Sequence, residues 1–183
     1  IEHFQSAVTF ANQGNDSLLV IEALQRLAMA YERERKIDDA FRMYSQALQR
    51  TDITRGAEQL RVEMLLRVGN VYLLQQQYAE ARKFYNVALR TAAGLGNSLA
   101  EAYALLQLGH CMSEMPGGLS EARIDYTSAA ALLEHVGLPS ALAYAKLCLG
   151  ALAMKSGTVN EALTSMRSAA ALRDSSFVER NEC

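Results

Sequence analysis

Small and apolar residues recur along this chain at helical spacing, and the whole pattern returns about every 40 residues. From Ala40 it reads A-x3-Y-x2-A (Ala40, Tyr44, Ala47), and the phrase returns at Ala81, Tyr85, Ala88 and at Ala122, Tyr126, Ala129. A fourth copy, Ala162, Met166, Ala169, has methionine in the aromatic slot. A second phrase precedes each: Leu27-Ala28-x2-Tyr31, Val68-Gly69-x2-Tyr72, Leu108-Gly109-x2-Met112 and Leu149-Gly150-x2-Ala153. A fixed period of this length marks stacked units, none of which buries its apolar face alone. It also moves the expected function away from catalysis and towards binding.

Each unit predicts two antiparallel helices, A and then B. In the second unit, helix A is expected over Gln59–Gln76 and helix B over Ala79–Ala93. Leu65, Val68, Val71 and Tyr72 fall on one face of the first, and Ala81, Tyr85, Ala88 and Leu89 on one face of the second. A mid-helix glycine loses about 1 kcal/mol of propensity, so Gly69, Gly109 and Gly150 need a packing reason. The expectation is that they, with Ala28, let helix A approach the Ala40, Ala81, Ala122 and Ala162 row of helix B. The tyrosine slot is expected to fill space between adjacent units.

Joints are marked by Gly14-Asn15-Asp16-Ser17, Gly94-Leu95-Gly96-Asn97 and Gly137-Leu138-Pro139-Ser140, and Ser98-x2-Glu101 reads as a capping box. Met115-Pro116-Gly117-Gly118 is a turn one residue longer than its counterparts. The expected organisation is a single solenoid: an orphan helix B in 1–16, repeats over 17–57, 58–97, 98–138 and 139–174, and a tail at 175–183. With Phe4 and Ala7 in the aromatic and alanine slots of that orphan, the chain reads as a fragment of a longer array.

Composition narrows the function. Half of the 183 residues are hydrophobic and the formal net charge is −2, which gives no electrostatic footprint for nucleic acid or an anionic membrane. Three unpaired cysteines fit a reducing, intracellular, cytoplasmic setting. The apolar stretch from Leu138 to Met154 is interrupted by Pro139, Ser140 and Lys146 and coincides with a repeat helix, which argues against a membrane span.

These phrases resemble tetratricopeptide repeats; Val68–Leu89, with its V-G-N-V-Y and Y-A-E-A-R-K-F-Y-N-V-A-L, carries the likeness best. The period is similar to that of a longer-repeat subclass that includes LGN, rapsyn, kinesin light chain and MalT effector domains. The resemblance implies an all-α, right-handed superhelical solenoid of antiparallel helix pairs with an inner wall of A helices. It implies a non-enzymatic scaffold or adaptor, free of any cofactor, that binds a peptide segment of a protein partner along that concave wall. The wall positions so implied include Arg26, Met29, Arg67, Asn70, Tyr103, Leu106, His110, Tyr144 and Leu147. Arg26 and Arg67 would pair with carboxylates, unless Glu22 and Glu63 neutralise them. A carboxylate-clamp set is missing, since its positions read Gln25, Met29, Arg67, Tyr144 or Tyr103, and Gln107. Two alternatives stand beside the scaffold: a ligand-sensing effector domain of a larger regulator, and self-association as a homodimer through exposed end repeats.

Chemistry is sparse. His110, Cys148 and Glu114 supply three potential zinc ligands where about four must converge, and a Cys/His nucleophile pair lacks an orienting third group. Asp38-Asp39 suits a helix start, and no glycine-rich phosphate loop is present.

Overall fold

The computed structural model describes residues 1–181, with side chains through Leu172; among the described residues it is all-α, with no strand. Two compact units are formed, Ile1–Leu95 and Gly96–Cys183. The first holds α1 (Glu2–Gln13), α2 (Ser17–Arg33), α3 (Ile37–Thr51), α4 (Glu58–Leu74) and α5 (Tyr78–Gly94). The second holds α6 (Ser98–Glu114), α7 (Leu119–Val136), α8 (Pro139–Lys155) and α9 (Val159–Asn181). Helices α2, α4, α6 and α8 are of the A kind. Each packs most closely on the B helix that follows it, and α3 and α7 also pack on the next A helix. The last helix runs past residue 174 to Asn181, so residues 175–181 of the segment expected as a tail continue α9, and 182–183 lie outside the described residues.

Local chemistry explains the boundaries. Asp16 caps α2 by accepting the Leu19 amide, and Asn97 caps α6 by accepting the Ala100 amide, each at 3.0 Å. The expected cap at Ser98 is thus one residue late: Asn97 already serves, and Ser98 is the first helical residue. Gly137 closes α7 in the left-handed conformation, and Pro139 opens α8, where its missing N–H is no loss. Although α8 is apolar on most sides, among the described residues no helix is long and apolar enough to cross a membrane.

The glycines face a different neighbour from the one expected. A Cβ on Gly69 would lie 2.5 Å from the Tyr85 ring, and one on Gly109 would lie 2.7 Å from the Tyr126 ring. The tyrosine ring projects farther than the alanine methyls and reaches the backbone of helix A first. The tyrosine therefore packs inside its own hairpin, over its own glycine, rather than serving only as a spacer between units. In the last hairpin the contact is Met166 Cγ at 2.9 Å, with the Ala162 carbonyl at 3.3 Å. The core of the first unit gathers Ile21, Leu24, Ala28, Tyr44, Met64 and Val68; that of the second gathers Leu106, Tyr126, Leu133, Leu142 and Leu152.

Candidate functional site

In the first unit, the wall offered by α2 and α4 is polar. Arg26 is exposed, Arg67 half-buried, and Met29 packs against the core. Buried hydroxyls from the B helices reach this wall. Tyr44 donates to Glu32 Oε2 and Tyr85 donates to Asn70 Oδ1, both at 2.8 Å. Burial first, and then the Glu32 carboxylate, push the Tyr44 phenol well above its ordinary range; the Arg67 charge pulls the other way. Gln25 Nε2 donates to Glu63 Oε2 at 2.9 Å, tying α2 to α4. Glu63 is therefore held by an amide, where the sequence pairs it with an arginine; a glutamine one turn along α2 meets it across the A-helix row. Asn70 likewise already has a hydrogen-bond partner within its own hairpin.

In the second unit, the corresponding wall is apolar. Tyr103, Tyr144, Leu147 and Met154 are 44, 56, 48 and 53% exposed. Tyr144, Leu147, Ala151 and Met154 lie three or four residues apart, forming one stripe along α8. Tyr103 and Tyr144 flank a recess of about 370 Å³ that Leu106, Leu138, Pro139, Ser140 and Ala141 also line. Leu106 itself is buried and forms the floor side of that recess. The 138–141 segment escapes sequence reading because it looks like a plain joint. Its only signal is Pro139, which fixes the start of α8 and so presents the joint to α6.

The sequence-derived histidine and cysteines do not converge as a reactive set. Cys111 is buried, whereas its neighbour His110 is exposed. Glu114 is held by Lys155 Nζ at 2.6 Å, which keeps its carboxyl below the usual range. Among the described residues no three His, Cys, Asp or Glu side chains gather as metal ligands. Cys148 sits beside the hydroxyls of Tyr126 and Tyr144; burial pushes its thiol up despite those hydrogen bonds. A thiol held protonated is a poor nucleophile at neutral pH. The Tyr126 phenol is also pushed up, by burial first and then by Cys148.

Residues 60–135 match the family model for the tetratricopeptide repeat. No curated protein matches the chain in sequence. Among solved structures, BtubC (BKLC) from P. vanneervenii superposes with a TM-score of 0.83 at 20% identity, covering 95% of this chain and 72% of that one. Aspartyl phosphate phosphatase F from Bacillus subtilis gives a TM-score of 0.87 at 15% identity; the match covers 96% of this chain but 46% of the phosphatase, about half its length. A putative kinesin light chain from Podosopora anserina with nearly identical TPR-like repeats gives 0.77 at 15% identity, covering 96% of this chain and 86% of that one. At such identities these likenesses establish the fold. The repeated phrases, the glycine-on-tyrosine hairpins and the family match over 60–135 agree, and the chain has the tetratricopeptide-repeat fold.

Proposed function

We propose that this protein is an interaction scaffold that binds a segment of a partner along the exposed faces of its A helices, with the Tyr103–Tyr144 recess as the main anchor point. The observation that carries this reading is the uncharged stripe of Tyr144, Leu147, Ala151 and Met154 beside that recess. Contiguous exposed apolar surface marks interaction sites, and tyrosine gives large contact area at small entropic loss. The polar wall of the first unit, with Arg26 and Arg67, suits carboxylates.

A second reading, a small-molecule sensor, is favoured by the size of the recess, which falls within the range of ligand pockets, about 300–1,000 Å³. The likeness to a phosphatase, at 15% identity, shows the fold alone and transfers no chemistry.

Selecting binders from a random-peptide display library separates the readings. Peptides that bind the wild type and lose roughly tenfold or more on Tyr103→Ala/Tyr144→Ala, at unchanged melting temperature, support the scaffold. Peptides that bind the double variant equally well move the site elsewhere. Failure to select any peptide, with a metabolite released from the purified protein on denaturation, favours the sensor.

A further inference from the structure

In the first unit the groove between two successive B helices is filled by rings. Tyr72 of α4 meets Phe41 of α3 edge-on and stacks on Phe84 of α5, with ring centroids 5.3 Å apart in each pair. All three rings pack against the core. In the second unit the repeat puts Arg123 of α7, Ala153 of α8 and Ser165 of α9 at those same positions. All three line a recess of about 450 Å³, which thus lies where the first unit keeps its aromatic row. It is separate from the Tyr103–Tyr144 recess. Leu149 and Ala153, which form its floor, lie on the side of α8 opposite the stripe of Tyr144, Leu147, Ala151 and Met154.

We propose that this recess binds a free, uncharged heteroaromatic molecule of two or three planar rings with N–H groups on its edge. The rings of that molecule take the place of Phe41, Tyr72 and Phe84 and rest on the apolar floor. Half-exposed Arg123 and Glu161 neutralise each other at 2.7 Å, which favours an uncharged occupant. Thr127 and Thr164 spend their hydroxyl protons on the carbonyls of Arg123 and Asn160, at 2.7 and 2.9 Å. Into the recess their oxygens therefore only accept, and the ligand must donate. Among the described residues the Asn160 amide and the Ser165 hydroxyl have no hydrogen-bond partner, so both are open to the ligand's edge. The volume falls within the range of small-molecule sites, about 300–1,000 Å³. A space that corresponds to three side-chain rings is more than one aromatic side chain of a partner fills.

The test titrates benzimidazole, two fused rings with one N–H, into the isotope-labelled chain at neutral pH and follows backbone amide shifts by NMR. Saturable shifts centred on 123–127 and 160–165 are expected. 1-Methylbenzimidazole has no N–H and should bind about fivefold more weakly, the worth of one hydrogen bond. Arg123→Phe/Ala153→Tyr/Ser165→Phe rebuilds the aromatic row of the first unit; it should melt no lower than the wild type and show no saturable shift. Because Ala153 is buried, Ser165→Phe alone, at a half-buried position, is measured beside it and should bind at least about tenfold more weakly. The proposal is overturned by absence of saturable shifts in the wild type, or by shifts that fall around Tyr103 and Tyr144 instead. Equal affinity for the two probes, or equal affinity of Ser165→Phe and wild type, overturns it as well. Tighter binding of N-acetyltryptophanamide than of benzimidazole would give the recess to a partner's side chain, and would overturn it too.

Discussion

The two units share a frame and differ in everything the frame does not need. In both, a tyrosine from helix B lies over a glycine of helix A, in Tyr85–Gly69 and in Tyr126–Gly109. What surrounds the tyrosine hydroxyl differs. Tyr44 and Tyr85 reach a carboxylate and an amide, whereas Tyr126 has Ser113 and Cys148 beside it. The walls follow suit, with arginines, Glu63 and Gln25 on α2 and α4 against exposed tyrosines, Leu147 and Met154 on α6 and α8. Packing dictates the glycine and the ring. Solvent-facing positions are free of that demand, and there the units diverge.

The largest effect is expected where the frame itself is filled. Gly69→Leu or Gly109→Leu would force a side chain into a ring already within 3 Å of the position of a Cβ, and should destabilise the protein by about 3 kcal/mol, the upper end for overpacking. Gly150→Ala breaks the symmetry of that comparison. Its facing side chain is the flexible Met166, with the Ala162 carbonyl at 3.3 Å beside it, so the clash is partly relieved and a gain of about 1 kcal/mol in helix propensity offsets part of the rest. Urea unfolding of these variants together with Gly109→Ala checks this; equal losses at Gly109→Ala and Gly150→Ala would mean that the aromatic ring is not what the glycines accommodate.

The hydroxyls come next. Tyr44→Phe removes a hydrogen bond to a carboxylate and should lose about 1.5 kcal/mol at neutral pH, the low end for a charged acceptor because Glu32 is only half-buried. Tyr126→Phe should lose less, since its neighbours are uncharged. The two phenols share one pH signature. Burial raises both above the unfolded value of about 10, so their contribution is fully present below about pH 10 and is lost as the pH rises towards the folded values. Stability should therefore fall above about pH 10, and either phenylalanine variant should flatten that fall; chemical denaturation at pH 9 to 11 measures it.

The repeat frame was open to reading because it is periodic. The Ala-Tyr-Ala phrase, the glycines and the longer Met115–Gly118 turn are all buried or backbone-determined features that recur in register. The direction of the glycine contact was not, because spacing places Gly69 opposite helix B without saying whether Ala81 or Tyr85 fills the gap. Nor were the hydrogen bonds. Glu32 and Asn70 stand at different positions of their repeats, yet each receives a tyrosine hydroxyl, and only side-chain reach decides which acceptor is met. The recess was half visible: the family resemblance put Tyr103, Leu106 and Tyr144 on the wall, whereas 138–141 reads in the sequence as a plain joint.

The smallest expected effect lies in the turns, and here the units again differ. The A-to-B turns of the first unit place Arg35 and Gln76 in the left-handed region, at φ 57° and 59°, where the second unit has Gly117 and Gly157 at φ 77°. A side chain there brings Cβ against the following carbonyl, a strain of about 1–2 kcal/mol that glycine avoids. Glycine also gives the unfolded chain more freedom, which takes back up to about 1 kcal/mol of the gain. Arg35→Gly and Gln76→Gly should thus each stabilise the protein by about 0.5 kcal/mol, and Gly157→Ala should destabilise it by a similar amount. If Gln76→Gly lowers the midpoint of urea unfolding while Gly157→Ala leaves it unchanged, the two sets of turns are not equivalent, and the shared frame stops at the helices.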